Sequence, residues 1–177
     1  MSCAVGKRSD FKRRKHDAYN TTDPRAVRLL KPHLRGVKTF AEPCAGRGDL
    51  VRGLEYTGLR CVMENDMNFN GGVDALTLTA ADLNGADAII TNTPWTRALL
   101  YPLMLHFQRL KPTWLLLDGD WSYNREAVPY LEQCTDIVAI GRLRWIEGSS
   151  NTGKDNAAWY RFWHRHSGGP RFHNRRT

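Results

Sequence analysis

Short apolar segments alternate with segments of helical periodicity along most of this chain, and that alternation restricts its fold more than any other feature. Four apolar segments bounded by turn residues predict strands: VKTFAEP, LRCVMEN, ADAIITN and PTWLLLDGD. Four others predict helices: DPRAVRLLKPHL, DLVRGLEYTG, RALLYPLMLHFQRL and REAVPYLEQC. Two later segments, DIVAIGRLRWI and NAAWYRFWHRH, predict antiparallel strands. We therefore expect an α/β fold in which a mostly parallel sheet is covered by helices on both faces.

Length and charge distribution indicate one domain with basic ends. A chain of 177 residues can bury a single core, and we assign residues 17–166 to it and residues 1–16 and 167–177 to basic tails. Residues 1–16 and residues 159–177 each carry a net charge of +5, whereas the segment between them carries −2. This distribution favours a polyanionic partner, most simply nucleic acid, although solvated tails that only aid solubility are an alternative. The cations that we expect to contact phosphates are Lys12, Arg13, Arg14, Lys154, Arg171, Arg175 and Arg176.

Composition and motif disfavour several classes of protein. No apolar stretch approaches the roughly 20 residues that span a bilayer, and the basic amino terminus lacks the apolar segment of a signal peptide. The four cysteines lack the spacing of a zinc site, so we expect no metal and a cytoplasmic location. GSSNTGKD resembles a phosphate-binding loop, but Asp155 replaces the required Ser or Thr and a strand is predicted to follow.

The loop FAEPCAGRGDL follows the first predicted strand, at the edge where open parallel sheets bind ligands. Gly46 and Gly48 allow a close backbone approach to a ligand. Val51 stands where a dinucleotide-binding loop would have its third Gly, and Glu42 would repel a pyrophosphate. An acid here suits a cationic or hydroxyl-bearing ligand, such as an adenosyl sulfonium that carries an amino acid. The alternative is a tight turn with a solvated Glu42.

Further acids follow the second strand. Glu64, or else Asp66, lies about twenty residues after the Gly loop, where a carboxylate can accept hydrogen bonds from both ribose hydroxyls. Asp74 follows a Gly pair and is suited to the amine of an adenine ring. Each acid alone could be a solvated cap, but their order along successive strand ends favours a nucleoside site.

The third strand ends in Asn92, Thr93, Pro94 and Trp95. The Asn92 oxygen and the Thr93 carbonyl could each accept a hydrogen from a planar amine and aim its lone pair at an electrophilic methyl group. Pro94 would fix the backbone, and Trp95 would stack on a base that has been flipped out of a duplex. The alternative is that Asn92 caps the next helix and Trp95 packs on it.

In chain order these features resemble class I S-adenosylmethionine-dependent methyltransferases, in particular small phage-type DNA adenine-N6 methyltransferases. The resemblance covers most of the chain, including DAYNTTDPRAVRLL and GKDNAAWYRFWHRH. It implies a Rossmann-like sheet, S-adenosylmethionine as cofactor, DNA as partner and a bacterial or phage-infected cytoplasm. It implies catalytic roles for Asn92, Thr93, Pro94 and Trp95, and cofactor contacts from Tyr19, Asn20, Thr21, Glu42, Pro43, Cys44, Ala45, Gly46, Gly48, Glu64, Asp74 and Asn92.

The chain departs from that family in two respects. Thr93 stands where the family pattern has Pro, which leaves the carbonyl but removes rigidity. The chain also has no room for an inserted segment that reads bases, so we expect low sequence specificity, or a homodimer or partner chain that supplies it. Alternative functions are methylation of RNA or of a protein glutamine, and a catalytically weak protein that binds the cofactor and nucleic acid.

Overall fold

The computed structural model describes residues 20–69, 71–145 and 151–175. Four α-helices and seven β-strands account for most of the regular structure of these residues. In chain order they are α1 (Pro24–Leu30), β1 (Thr39–Glu42), α2 (Asp49–Tyr56), β2 (Arg60–Glu64), β3 (Ala88–Thr91), α3 (Arg97–Leu110), β4 (Thr113–Asp118), α4 (Val128–Leu131), β5 (Cys134–Arg142), β6 (Asn156–Phe162) and β7 (Arg171–His173).

The seven strands form one sheet in the order β2-β1-β3-β4-β6-β5-β7. β2, β1, β3 and β4 run parallel to one another, whereas β6 runs antiparallel to both β4 and β5. The chain adds β2 on one side of β1 and β3 on the other, so the strand order reverses next to β1. In open α/β sheets, ligands bind at such a switch point, beyond the carboxyl ends of the strands.

The two faces of the sheet have separate cores because successive strand residues point to opposite sides. Ala88 and Ile90 pack with α1 and α2 on one face, whereas Ile89 packs with α3 on the other. All four residues of β3 are buried, as expected for a parallel strand covered on both faces. The predicted Rossmann-like architecture, with a mostly parallel sheet, antiparallel late strands and helices on both faces, is confirmed.

Local signals account for the helix boundaries that matter for the site. Asp23 caps α1 as predicted, since its Oδ1 accepts a hydrogen bond from the Arg25 backbone N–H at 3.0 Å. Pro102 lies inside α3, as its sixth residue.

The segment predicted as a fourth helix is instead a 3-10 turn, Arg125–Ala127, followed by the four residues of α4. Pro129 sits near the start of α4, where a missing N–H is tolerated.

The edge strand β7 was absent from the predicted elements. It lies within residues 167–177, the segment expected to be a carboxyl-terminal tail, and it pairs in parallel with β5. Its three residues, Arg171, Phe172 and His173, carry no apolar periodicity, so this strand forms because β5 offers it an open edge. Among the described residues, none of the helices has the length and hydropathy needed to cross a membrane.

Candidate functional site

A cavity of about 420 Å³, here called the rim cavity, opens beyond the carboxyl ends of β1 and β3. It lies at the switch point of the sheet, and most of the residues predicted for the site line it. These are Asn20, Thr21, Glu42, Pro43, Cys44, Ala45, Gly46, Asp74, Asn92 and Pro94. The fold therefore brings together four segments that are separated by up to about 70 residues in sequence: the entry to α1, the Gly loop, the turn that begins at Asp74 and the exit of β3.

Gly46 forms the floor of the Gly loop in a conformation that favours glycine, with φ of 55°. Its backbone N–H donates to Asp66 Oδ2 at 2.9 Å, and a β-carbon at this position would lie 2.9 Å from Asn20 Oδ1. Gly48, predicted to contact the same ligand, is the N-cap of α2 and is not among the residues that line the cavity. A side chain at Gly46 would thus press on the wall of the rim cavity.

Glu42 is buried, with 1% of its surface exposed, at the end of β1. Its Oε1 accepts a hydrogen bond from the Cys44 backbone N–H at 3.1 Å. Burial raises the pKa of Glu42 from 4.5 to about 8, although the hydrogen bond from the Cys44 N–H acts in the opposite direction. A cation placed beside this carboxyl group would favour its ionised form. Glu42 is therefore suited to a positively charged ligand.

The acid that lines the cavity after β2 is Asp66, not Glu64. The Glu64 side chain is exposed and lies against Gly48, where a β-carbon would come within 2.7 Å of its Oε1. Glu64 and Asp66 were both candidates from sequence spacing, and the structure brings only Asp66 to the rim cavity. Asp74 does line the cavity, and it also caps the turn Ala75–Thr77 by accepting from the Leu76 N–H at 3.0 Å.

Asn65 connects the Gly loop to the segment that carries Asp74. Its Nδ2 donates to the carbonyl oxygens of Pro43 at 3.1 Å and Val73 at 3.0 Å. Its Oδ1 accepts from the Val73 N–H at 2.9 Å. The Gly loop and the segment that carries Asp74 are thus fixed to the same side chain. No sequence pattern indicated this role for Asn65.

Of the four residues predicted to be catalytic, Asn92 and Pro94 line the rim cavity, whereas buried Thr93 and half-buried Trp95 are not among its lining residues. Asn92 Nδ2 donates to Thr21 Oγ1 at 3.1 Å. Thr93 is 2% exposed, and its hydroxyl has no hydrogen-bond partner among the described residues. Trp95 is half-buried and packs edge-on against Trp145, with ring centroids 5.5 Å apart.

The rim cavity has an apolar mouth that the sequence did not predict. Met67, Phe69, Leu76 and Leu99 line the cavity although they remain 63%, 41%, 37% and 46% exposed. Large apolar side chains that stay exposed around a cavity indicate a surface that a flat, partly apolar ligand covers. No sequence pattern indicated this mouth, because Met67 and Phe69 follow β2, Leu76 lies in the turn Ala75–Thr77 and Leu99 lies in the first turn of α3.

Of the residues predicted to bind nucleic acid, the structure describes Lys154, Arg171 and Arg175, and none of these three lines the rim cavity. Lys154 is exposed in the segment before β6. Arg171 and Arg175 line a separate groove between α1 and the edge strand β7. Tyr19, Lys12, Arg13, Arg14 and Arg176 lie outside the described residues. The part of the chain that the structure describes contains no group of three or more His, Cys, Asp or Glu residues that could hold a metal ion.

No protein-family model and no curated protein sequence matches this chain. Solved structures that are similar to it include a candidate RNA methyltransferase from Pyrococcus horikoshii, with 16% identity and a TM-score of 0.47 over 79% of this chain and 80% of that one. A candidate class I S-adenosylmethionine-dependent methyltransferase from Listeria monocytogenes has 11% identity and a TM-score of 0.49, over 90% of this chain and 66% of that one. A precorrin-6y C5,15-methyltransferase from Geobacter metallireducens has 13% identity and a TM-score of 0.47, over 78% and 86%. These likenesses are too distant to indicate what this chain does.

Proposed function

We propose that this chain is an S-adenosylmethionine-dependent methyltransferase that modifies the exocyclic amine of adenine in DNA with low sequence specificity. The observation that carries the proposal is that Gly46, Glu42 and Asn92 line one cavity. A methyl donor held by the Gly loop and an amine held by Asn92 would then meet in the same space. Direct transfer between bound reactants needs positioning more than an acid or a base.

The donor side of the cavity fits S-adenosylmethionine in charge and shape. Its sulfonium and ammonium groups are cations, and Glu42 is a buried carboxyl group whose pKa is raised to about 8 by burial. Asp66 and Asp74 offer carboxylate oxygens to ribose hydroxyls and an adenine amine, and the apolar mouth offers Phe69 and Leu76 to the flat ring. Gly46 leaves the space that a β-carbon would fill.

The acceptor side is supplied by the end of β3. S-adenosylmethionine, when bound, provides the electrophilic methyl group on its sulfonium. The Asn92 side-chain oxygen would accept one hydrogen of the adenine amine and the Thr93 carbonyl the other, which would direct the nitrogen lone pair into the cavity. The N–C bond would form as the S–C bond of the donor breaks, and the nitrogen would release one of its two protons to solvent. Pro94 restricts the backbone at this point, and the Trp95 ring stacks on the flipped base.

A nucleic acid acceptor is favoured over a protein by charge. The chain carries a net charge of +8, and its cations are concentrated at both ends. Phosphate contacts supply most of the affinity of proteins that bind DNA without sequence preference. Such contacts would concentrate bases near the cavity without an inserted base-reading segment.

One observation favours a second candidate, a cofactor-binding protein with weak catalysis. Both polar atoms of the Asn92 amide are already engaged, since Nδ2 donates to Thr21 and Oδ1 accepts from the Trp95 indole at 3.2 Å. Catalysis requires the Asn92 oxygen to accept a hydrogen of the substrate amine beside these contacts or in exchange for one of them. The second candidate predicts cofactor binding by calorimetry without methyl transfer to any polymer.

The proposal is tested by incubation with methyl-tritiated S-adenosylmethionine and, in separate reactions, duplex DNA, single-stranded DNA, RNA and cell protein. After nuclease digestion we expect label in N6-methyladenine from DNA, in many sequence contexts. Label found only in RNA or only in protein would contradict the assignment of DNA. Label confined to one short DNA sequence would contradict the expectation of low specificity.

A further inference from the structure

A second concave surface, here called the basic groove, lies between α1 and the edge strand β7. It has a volume of about 680 Å³. One wall comes from α1 and the turn after it, through Arg28, His33 and Arg35, and the other from the carboxyl-terminal segment, through Arg171, His173 and Arg175. The rim cavity lies at the other end of α1, where Asn20 and Thr21 precede the helix.

The groove is lined by permanent positive charge. Arg28, Arg35, Arg171 and Arg175 line it, and all four are exposed. Within the described part of the chain, none of these four forms a salt bridge, and no Asp or Glu is among the residues that line the groove. Four guanidinium groups on facing walls of one groove repel one another, so an anion between them would lower the electrostatic energy.

The groove is also organised by contacts behind its lining. His173 Nε2 lies 2.8 Å from Asp136 Oδ1, and the His173 ring packs against that of His33 with centroids 4.5 Å apart. The ring contact joins the two walls. Arg175 folds back over Gly141, whose missing side chain leaves room for the guanidinium; a β-carbon there would lie 3.3 Å from Arg175 Nη1.

We propose that the basic groove binds the phosphodiester backbone of nucleic acid, with Arg28 and Arg35 on one wall and Arg171 and Arg175 on the other. Arginine presents a planar fork of N–H donors that matches phosphate oxygens. Several such forks along one groove suit a chain of phosphates better than a single anion. The inference rests on the proposed function, because it supplies the backbone contacts that a base in the rim cavity would need.

The position of the groove is consistent with one ligand reaching both sites. The rim cavity contacts the chain just before α1, and Arg28 is the fifth residue of that helix. Since an α-helix rises about 1.5 Å per residue, Arg28 lies only about 6 Å along the axis from Pro24. Thr21, which lines the rim cavity, lies three residues before Pro24, so α1 and the segment before it connect the two sites.

The test compares two double variants that remove equal charge. Arg28→Gln/Arg35→Gln alters the groove, whereas Arg60→Gln/Arg109→Gln alters exposed arginines at the start of β2 and the last turn of α3, outside it. Binding of a fluorescein-labelled 20-mer DNA duplex is followed by anisotropy between 50 and 300 mM NaCl. For the groove variant we expect affinity to fall roughly tenfold or more at 100 mM NaCl and the salt slope to decrease by about 2, as for the loss of two phosphate contacts.

The control variant should lose less than threefold in affinity. Equal losses for the two variants would overturn the groove as the binding surface. Circular dichroism and calorimetry with S-adenosylmethionine check that the groove variant is folded and keeps its cofactor affinity. If only the groove variant loses DNA affinity and the wild type transfers no methyl group, the groove is supported and the proposed function is contradicted. If the wild type methylates DNA but both variants lose DNA affinity equally, the proposed function is supported and the groove is contradicted.

Discussion

The indole N–H of Trp95 lies 3.2 Å from the side-chain oxygen of Asn92 and 2.9 Å from the carbonyl oxygen of Leu116. Trp95 is thereby attached to β4 through its polar edge, while its ring lies beside the exit of β3. The contact also orients the Asn92 amide, whose nitrogen donates to Thr21. One aromatic residue thus holds in place the amide that the proposed reaction uses.

Trp95→Phe should separate the hydrogen bonding of the indole N–H from the stacking of the ring on a base. Phenylalanine keeps an aromatic face but lacks the N–H, so we expect a loss of about 1 kcal/mol in the free energy of unfolding. Trp95→Ala also removes the ring. Loss of stacking should weaken DNA binding by about 1–3 kcal/mol relative to Trp95→Phe, which is a roughly 5- to 150-fold loss of affinity. Urea unfolding and steady-state methyl transfer measure the two effects. Equal DNA affinity in Phe and Ala variants would contradict stacking by Trp95.

Gly46→Ala should weaken cofactor binding more than its backbone strain explains. The new β-carbon would lie 2.9 Å from Asn20 Oδ1 in the wall of the rim cavity. Gly58→Ala is the matched control, because Gly58 also has a positive φ, 87°, but no atom within 4 Å of its β-carbon position. Both variants should lose about 1 kcal/mol of stability. Calorimetry with S-adenosylmethionine should show a loss of at least tenfold in affinity for Gly46→Ala and a change of under twofold for Gly58→Ala.

Glu42 should make the protein less stable as pH rises from 5 to 8. Because burial raises the pKa of Glu42 from 4.5 to about 8, the folded state keeps a proton that the unfolded chain releases in this window. The free energy of unfolding therefore decreases with pH, and Glu42→Gln lacks that decrease. The free energy of unfolding of Glu42→Gln should exceed that of the wild type by on the order of a few kcal/mol at pH 8 and should be close to it at pH 5.

Urea unfolding at four pH values between 5 and 8 measures this difference, with Glu132→Gln as a control at an exposed position. Parallel pH curves for the wild type and Glu42→Gln would show that Glu42 is not the source of the slope. The same variant should bind S-adenosylmethionine more weakly, because an amide cannot offer a negative charge to its cationic groups.

Asp23 should contribute stability with the opposite pH dependence. It is 4% exposed; burial opposes its ionisation, but hydrogen bonds from the Arg25 side chain and the Arg144 and Arg25 backbone N–H groups lower its pKa from 3.8 to about 2. Its contribution is complete above pH 3.8 and disappears as pH falls through about 2. Asp23→Asn keeps a good helix cap but removes the charge, so we expect a loss of about 2 kcal/mol at pH 7.

Unfolding of Asp23→Asn by urea at pH 7 and pH 2.5 checks the assignment. The difference in the free energy of unfolding between Asp23→Asn and the wild type should be smaller at pH 2.5 than at pH 7. A difference that stays constant would mean that packing, and not the ionised carboxylate, provides the stability. Because the Arg144 N–H donates to Asp23 Oδ2 at 2.9 Å, the variant should also loosen the segment after β5.

The central part of the fold could be predicted because its signals are local. Buried runs such as Ala88–Thr91 alternate with capped helices, and this pattern alone places the Gly loop and Asn92 at one edge of the sheet. The rim cavity then follows, since parallel strands bring their carboxyl ends together.

Other features depend on contacts that no local pattern encodes. Glu64 and Asp66 are two residues apart, and only the point at which β2 ends decides which carboxylate faces the cavity. The basic groove joins Arg28 to Arg171, which are distant in sequence and become neighbours only through the strand order. β7 exists because the edge of β5 accepts it, not because its own residues favour a strand.

The most direct test of the account is N6-methyladenine formed in DNA by the wild type and by Asn92→Ala, measured by nucleoside analysis beside calorimetry with S-adenosylmethionine. Loss of one hydrogen-bonding group that acts at the reacting atom typically costs roughly 10²- to 10³-fold in rate. We predict a loss of that size for Asn92→Ala, with a change in cofactor affinity below tenfold. Unchanged formation of N6-methyladenine by Asn92→Ala would contradict the proposed meeting of donor and amine at the end of β3.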